Sequence, residues 1–242
     1  MNDATLDMLG GDTFTTVARC PITARLGVAM ATRAPAVGNR CPVIKPGLAA
    51  ASVQSIADPR LTLMCGRLIE MGFHAKKIIA DMVASDPYIA LRQIAVVDIY
   101  GNAEAFTGDE NGKWAGHVTG KQFACIGNGV VSARVVESMA EAMVKSEGEP
   151  LEERLMRSIE AGGAAGGQPD GQNSSCILMY GAEPFALLDV RVDLHDEPIG
   201  ELRRLLGYFQ PLIPYFLERP YNPRIAREDR WLEAQKKARA AG

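Results

Sequence analysis

Short runs of apolar and β-branched residues, separated by turns rich in glycine and proline, predict strands along much of the chain. The first run, 13–19, ends at Pro21, and the second, 26–32, follows closely enough to pair with it as an antiparallel hairpin. A run of small residues at 47–53 predicts a strand that a neighbouring layer can approach closely. Further strands are predicted at 92–99, 103–107, 114–118, 121–126, 174–180 and 185–192.

In other segments the apolar residues recur at every third or fourth position, which predicts amphipathic helices. A run of glycines at 162–167 is expected to stop the fourth of them. A proline-broken helical stretch follows the fifth and fills the C-terminus. The helices predicted in this way are 61–71, 75–84, 131–144, 151–161 and 198–206.

The order of these elements indicates the fold class. Neighbouring strands are joined by short turns and helices come in pairs, so the sheets are expected to be mostly antiparallel. Two such sheets stacked face to face, with helices on both outer faces, form a four-layer αββα sandwich of the α+β class. We therefore expect a flexible leader at 1–12, one domain at 13–207 and a C-terminal helical extension at 208–242.

Composition excludes several classes of protein. A chain with 47% apolar and 23% charged residues can bury a large core, and a net charge of -3 lacks the basic footprint of a nucleic-acid-binding protein. No run approaches the roughly 20 apolar residues of a spanning helix, and the N-terminus is acidic where a secretory signal would be basic. We expect a cytoplasmic protein without membrane partners, whose five widely spaced cysteines are free and buried.

Thr13 is the first candidate for catalysis, because it opens the first strand directly after Gly10-Gly11-Asp12. A threonine at a mature N-terminus can act as a nucleophile with its own α-amine as general base. That role requires removal of residues 1–12, and the preceding Gly-Gly-Asp is compatible with self-cleavage through an N-to-O acyl shift. The alternative is an ordinary strand residue with an exposed hydroxyl.

Two cations and two groups of backbone amides are candidates to assist Thr13. Lys45 or Arg33 would lower the pKa of the amine and stabilise developing negative charge, unless each is an ordinary surface cation. Backbone amides at Gly47, or at 127–129 before a predicted helix, would hold an oxyanion. The second of these is otherwise a plain turn with a helix start. Asn128 lies within that turn and is a further catalytic candidate.

Neither a metal nor a cofactor is expected. The three histidines, His74, His117 and His195, lie far apart and have no zinc-binding spacing. The glycine run at 162–167 lacks the Gly-Lys-Ser/Thr ending of a phosphate-binding loop. Catalysis by His117 with Asn128, which needs no free N-terminus, remains open as an alternative.

Several strings resemble, in collinear order, a bacterial domain-of-unknown-function family, numbered 1028, that is grouped with the N-terminal-nucleophile hydrolases. The resemblance implies the four-layer αββα fold and Thr13 as the nucleophile. Thr15 replaces the usual Ser, Asn173 stands where relatives often carry Gln, and Gln168 where they often carry an acid. The strings are TFT (13–15), AR (18–19), AVG (36–38), ADPR (57–60), LRQIAVVD (91–98), AFTG (105–108), WAGH (114–117), GN (127–128), DVRVD (189–193) and ELRRLL (201–206).

These observations favour hydrolysis of a C–N amide bond in a small metabolite. The alternative is a non-catalytic binding or assembly protein on the same scaffold. The aromatic residues of the C-terminal extension lead us to expect a homodimer or larger homo-oligomer. Residues expected to contact the substrate are Thr15, Gly47, Gln54, His117, Gly127 and Asn173.

Overall fold

The computed structural model describes residues 11–241, and side chains as far as residue 238. The predicted leader, 1–12, therefore lies outside the described residues except for Gly11 and Asp12. Over the described range the chain forms ten strands. They are β1 (Thr13–Arg19), β2 (Leu26–Thr32), β3 (Pro42–Lys45), β4 (Ala49–Ser55), β5 (Arg92–Asp98), β6 (Ala103–Thr107), β7 (Trp114–Gly120), β8 (Phe123–Val130), β9 (Ser174–Tyr180) and β10 (Ala186–Val192).

Seven α-helices lie between and after these strands in the described part of the chain. Asp58 caps the first by accepting a hydrogen bond from the backbone N–H of Arg60, and Pro59 occupies its first turn. The helices are α1 (Pro59–Glu70), α2 (Ala75–Ser85), α3 (Ala133–Lys145), α4 (Leu151–Ala164), α5 (Pro198–Phe209), α6 (Ile213–Glu218) and α7 (Glu228–Ala241).

The strands form two antiparallel sheets. One has six strands in the order β10-β9-β2-β1-β8-β7, and the other has four in the order β3-β4-β5-β6. Helices α3, α4 and α5 bury their apolar faces against the six-stranded sheet, and α1 and α2 cover the outer face of the four-stranded sheet. A third apolar cluster lies between the two sheets. The predicted four-layer αββα sandwich is thus confirmed.

Strand β1 lies at the centre of the six-stranded sheet, and its side chains alternate between two cores. Phe14 and Ala18 pack in the cluster beneath α3 and α4, whereas Val17 packs in the cluster between the sheets. Because side chains alternate along a strand, Thr13 and Thr15 share the inter-sheet side with Val17. The alternation therefore turns the candidate nucleophile towards the second sheet.

The structure corrects the prediction at the glycine-rich segments and near residue 45. Strand β8 extends through Val130, so 127–129 belong to a strand and not to a turn before a helix. Helix α4 continues to Ala164 and therefore contains Gly162. A Cβ at position 162 would lie 2.9 Å from Met139 Cγ in the neighbouring helix α3. That close approach of α3 and α4 favours glycine and outweighs its poor helix propensity. The short strand β3 was not predicted, and the strand expected at 47–53 lies at Ala49–Ser55.

The C-terminal extension packs on its own chain. Ile213 joins the main apolar core, and Tyr215 is fully buried with its ring centroid 5.6 Å from that of Trp231. The predicted boundary at 207 falls inside α5, which ends at Phe209. The expected homo-oligomer stays a prediction. None of the helices formed by residues 11–241 is long and apolar enough to span a bilayer.

Candidate functional site

Thr13 lies at the start of β1, between Thr32 at the end of β2 and Asn128 in β8. All three residues are at most 5% exposed. The hydroxyl oxygens of Thr13 and Thr32 are 3.0 Å apart. The hairpin register between β1 and β2 thus brings two threonine hydroxyls together at one end of the sheet.

The carbonyl oxygen of Asp12, the residue before Thr13, accepts two side-chain hydrogen bonds. One comes from the hydroxyl of Thr32 and the other from the side-chain amide of Gln168, which lies in the loop after α4. Because the Thr32 proton points to Asp12, the hydroxyl of Thr13 donates to Thr32 Oγ1 and keeps its lone pairs free. Two neutral donors therefore polarise the Asp12–Thr13 peptide bond, beside an adjacent hydroxyl.

Two cavities flank this bond, one of about 310 Å³ and one of about 230 Å³, and Gly11 lines both. The smaller is lined by Thr13 and Thr32. The larger opens beside Asp12 and is called the Asp12 cleft below. Its other polar and glycine lining residues are Arg33, Ser55, Glu110, Gly112, Lys113, Asn128, Gly129, Asp170 and Asn173.

A buried amide from the second sheet reaches Thr13 and Thr15. The side chain of Gln54 accepts hydrogen bonds from the hydroxyls of Thr15, at 2.6 Å, and Ser52, at 3.0 Å. Its Nε2 donates to the backbone carbonyl of Thr13 at 3.3 Å and to Gln93 Oε1 at 2.9 Å. Gln54 is therefore held in one orientation and connects β1 with β4.

Gln93, which is fully buried, extends this network towards the surface. Its Oε1 also accepts from Asn128 Nδ2 at 2.9 Å, and its Nε2 donates to the carbonyl of Gly127 at 2.9 Å. The same Nε2 lies 3.0 Å from Thr107 Oγ1, which is 2.9 Å from His117 Nδ1. A continuous chain of polar groups thus joins the strand of Thr13 to His117.

His117 is the end of that chain on strand β7. Partial burial lowers the pKa of its imidazole below the usual value, so the ring is neutral at pH 7. The unprotonated Nδ1 of a neutral ring can accept the hydrogen bond of the Thr107 hydroxyl, which lies 2.9 Å away. In the described part of the chain, His117 and Asn128 are connected through the side chains of Thr107 and Gln93.

Arg33 and Asn173 both line the Asp12 cleft. Asn173 Nδ2 donates to the backbone carbonyl of Arg33 at 2.8 Å, and the Arg33 guanidinium lies 2.9 Å from the carboxylate of Asp170. Both partners of that ion pair are more than half exposed, so water screens the charge of Arg33. Arg33 is thus near the predicted site, but on its open side.

Lys45 and Gly47 are placed elsewhere, and this corrects the predicted site. Lys45 forms an ion pair with Glu70 of α1 at 2.6 Å. In the sheet, Lys45 pairs with Ala49 of β4. At roughly 3.3 Å per residue, Ala49 lies about 17 Å along this strand from Gln54, which contacts Thr13. Gly47 belongs to the turn between these strands, so neither residue lies near Thr13.

Gly127 also has a different role from the expected one. It is paired with Phe14 in β1 and Gly116 in β7, and its carbonyl accepts from Gln93. Its backbone is therefore engaged in the sheet and does not offer an oxyanion site. The side-chain donors that meet at the Asp12 carbonyl, next to Thr13, belong instead to Thr32 and Gln168.

Sequence reasoning missed Thr32, Gln93 and Gln168 as site residues. The predicted hairpin already implied Thr32, because its register places residue 32 opposite residue 13. Gln93 directly precedes the apolar stretch 94–97 of a predicted strand, and a polar side chain at such a position is a signal for a buried network. The family resemblance marked Gln168 as a position where relatives often carry an acid, but it assigned no role to this residue.

Four of the five cysteines are poor nucleophiles. Burial raises the pKa of the Cys65 and Cys125 thiols to about 12 and that of Cys41 to about 11, and it raises that of Cys176 as well. These thiols stay protonated near neutral pH, and the thiolate is the reactive form. Among the residues whose side chains are described, no cluster of three or more His, Cys, Asp or Glu could hold a metal ion.

Known structures resemble the chain over most of its length. A crystal structure of a protein of family DUF1028 from Silicibacter pomeroyi has a TM-score of 0.75 and 28% identity, and covers 82% of this chain and 89% of the other. Anbu (ancestral beta-subunit) from Yersinia bercovieri has a TM-score of 0.42 and 11% identity, and the match covers 84% of this chain and 96% of the other. No curated protein matches the chain.

The sequence model of the family of unknown function DUF1028 matches residues 13–202, from the first residue of β1 into α5. The match contains every residue of the hydrogen-bonded network described above except Asp12. The chain therefore belongs to the family of unknown function DUF1028.

Proposed function

We propose that this chain is an amide-bond hydrolase of the N-terminal-nucleophile type, which acts on a small metabolite with Thr13 as its nucleophile. Cleavage of the chain's own Asp12–Thr13 bond would create the active N-terminus. The observation that carries the proposal is the pair of hydrogen bonds from Thr32 and Gln168 to the Asp12 carbonyl, beside the Thr13 hydroxyl. Two donors on a carbonyl oxygen are the arrangement that stabilises a tetrahedral oxyanion.

The cleavage step balances without any co-reactant except water. Thr13 Oγ1 attacks the Asp12 carbonyl carbon, and the carbonyl electron pair moves to the oxygen held by Thr32 and Gln168. The hydroxyl proton passes to the nitrogen of Thr13, the C–N bond breaks, and an ester forms. Water hydrolyses this ester, releasing residues 1–12 with a new carboxylate and leaving Thr13 with a free amine.

The same groups would serve turnover of a substrate. A free α-amine has a pKa near about 7.7, so at neutral pH it takes the proton of the Thr13 hydroxyl during attack and returns it to the leaving amine. Thr32 and Gln168, no longer bonded to Asp12, would hold the substrate's carbonyl oxygen. One set of donors thus accounts for both maturation and catalysis.

Two buried acceptors support this reading. Asn128 Oδ1 and Gln168 Oε1 have no hydrogen-bond partner among the described residues, although both residues are at most 2% exposed. Leaving a buried acceptor unpaired costs about 1–3 kcal/mol. Asn128 pairs with Thr13 in the sheet and Gln168 binds the Asp12 carbonyl. N–H donors of the new amine or of a bound amide would satisfy acceptors at this position.

The neighbouring groups divide into two roles within the proposal. Thr15, Gln54 and Asn128 hold β1 and its nucleophile in place through the buried network. Arg33 and Asn173, on the open side, would contact the substrate. A cytoplasmic location and a homo-oligomeric state complete the proposal, and light scattering of the purified protein tests the second.

The intact mass of freshly purified protein tests the proposal. We expect the wild-type protein to lose residues 1–12, Thr13→Ala to keep them, and Thr13→Ser, which retains a hydroxyl, to lose them. A full-length mass for all three would leave Thr13 without a free amine. The chain would then be a binding or assembly protein on this scaffold, or would act through His117 and Asn128.

A further inference from the structure

We propose that the Asp12 cleft is a subsite for a carboxylate on the acyl part of the substrate. The amide hydrolysed would then be of the succinyl or aspartyl type, with a carboxylate two carbons away from the scissile carbonyl. The chemistry of this inference rests on the proposed function, whereas the binding of a carboxylate in the cleft can be measured without any turnover.

The chain's own Asp12 stands in for the acyl part of a substrate. In the Asp12–Thr13 bond, Asp12 supplies the acyl group and Thr13 supplies the nitrogen that leaves. The surroundings of the Asp12 side chain are therefore the surroundings of any acyl group bound at the same oxyanion donors, Thr32 and Gln168. The structure fills this position with a carboxylate.

Gly129 makes room for that carboxylate. A Cβ on Gly129 would overlap Asp12 Oδ1 and Asp12 Cγ, closer than any two such atoms can approach. Gly129 also has a φ of +60°, which L side chains rarely adopt. At Gly129, strand β8 therefore contacts the Asp12 carboxylate with its backbone, and the side chain of any other residue at this position would displace that carboxylate.

The charges around the cleft suit an exchange of one carboxylate for another. Arg33 and Lys113 line it and share Asp170, at 2.9 Å and 4.0 Å, and Glu110 lines it as well. Once Asp12 leaves with residues 1–12, two cations face two carboxylates. A neutral cleft with two cations on its wall accepts one new carboxylate in place of the one lost.

Size restricts the class of ligand further. The cleft encloses about 310 Å³, and its lower wall is formed by Asn128 and Gly129 of a buried strand. That volume is at the small end of ligand-binding cavities. It fits a four-carbon dicarboxylic acyl group and not a folded protein segment.

Acetate replaces the missing carboxylate in a binding test that needs no catalysis. In Asp12→Ala combined with Thr13→Ala, the leader stays attached and the subsite is vacant. We expect ligand-observed NMR to show saturable binding of acetate to this double variant. Acetamide should bind at least tenfold more weakly, and so should acetate to Thr13→Ala alone, because Asp12 then fills the subsite.

Further substitutions assign the binding to this cleft. Adding Lys113→Met or Arg33→Met to the double variant should weaken acetate binding at least fivefold, whereas adding Lys121→Met, an exposed lysine on the β7–β8 turn, should not. Equal binding of acetate and acetamide, or equal binding of acetate with and without Asp12, would overturn the subsite.

A pair of substrates tests the same subsite in wild-type protein. Protein whose mass shows loss of residues 1–12 should hydrolyse succinyl mono-p-nitroanilide with a kcat/KM at least tenfold above that for the uncharged succinamoyl p-nitroanilide. Equal rates would refute the carboxylate subsite and leave the Thr13 mechanism intact. A full-length mass without hydrolysis would refute the proposed function, and the acetate titration would still decide the subsite.

Discussion

Gln93 Oε1 accepts hydrogen bonds from Gln54 Nε2 and Asn128 Nδ2, each at 2.9 Å, and so joins the two sheets at the level of Thr13. Gln54 lies beside Gln93 in the four-stranded sheet, whereas Asn128 belongs to the six-stranded sheet. Because this oxygen accepts one hydrogen bond from each side-chain amide, it fixes the orientation of both Gln54 and Asn128. Because Gln54 in turn donates to the Thr13 carbonyl, this one atom positions the start of β1.

Gln93→Leu should therefore destabilise the fold and misplace Thr13. The change leaves the amides of Gln54 and Asn128 without their acceptor in a buried site, where each unpaired group costs about 1–3 kcal/mol. We expect urea unfolding to show a loss of about 2–5 kcal/mol, a sum on the same scale. Gln235→Leu, on the exposed face of α7, should leave stability within about 0.5 kcal/mol of wild type. A Gln93→Leu protein as stable as the control would contradict the buried network.

Thr32→Val should slow the cleavage of the Asp12–Thr13 bond. Valine keeps the shape of threonine but removes the hydroxyl that donates to the Asp12 carbonyl. Removal of one oxyanion donor typically lowers a rate by about 10²–10³-fold. A time course of intact mass during and after expression measures the effect.

Thr32→Ser is the matched control for that experiment, because it restores the hydroxyl and loses only a methyl group. We expect its rate of cleavage to stay close to that of wild type. If Thr32→Val were cleaved as fast as Thr32→Ser, the hydroxyl would have no part in the reaction.

Asp98→Asn should reduce stability most at neutral pH. Burial alone would raise the pKa of Asp98, but hydrogen bonds from the Asn102 side chain and from the backbone amides of Ala75, Asn102 and Tyr100 outweigh it and lower the pKa. A lowered folded-state pKa stabilises the protein above the unfolded-state value of about 3.9, and this stability is lost as the pH falls through the folded-state pKa.

Urea unfolding of wild type and Asp98→Asn at pH 7 and pH 3 checks this sign. The stability difference between the two proteins should be larger at pH 7 and shrink at pH 3. Asp109→Asn, at an exposed turn position, should show little difference at either pH. A difference that grew on acidification would mean that Asp98 is not held as the carboxylate.

Gly162→Ala should destabilise the protein although alanine is the better helix former. The new Cβ would lie 2.9 Å from Met139 Cγ and 3.1 Å from Phe14 Cδ2, in a packed interface. Overpacking of this kind costs about 1–3 kcal/mol. Gly207→Ala, in helix α5 where nothing lies within 4 Å, should instead stabilise by up to about 1 kcal/mol. Thermal unfolding of both variants should therefore shift in opposite directions.

The pattern of apolar residues along the chain is enough to predict most of the elements and the four-layer class. The predicted strands at 13–19 and 26–32 coincide with β1 and β2. Local residue preference is enough here, because β-branched residues favour strands and proline and glycine mark the turns that bound them. The hairpin register also placed Thr32 opposite Thr13. Local pattern is sufficient where neighbours in space are neighbours in sequence.

Which polar residues come together depends on how the sheets and helices pack in three dimensions. Lys45 and Gly47 have residue types that suit a catalytic site, yet the register of β3 with β4 places them at the far end of the sheet from Gln54. Gln168 and Asp12 are 156 positions apart in the sequence, and they meet because the loop after α4 lies beside the start of β1. Contacts between residues so far apart in sequence depend on how the layers pack, and local helix and strand propensities carry no information about that packing.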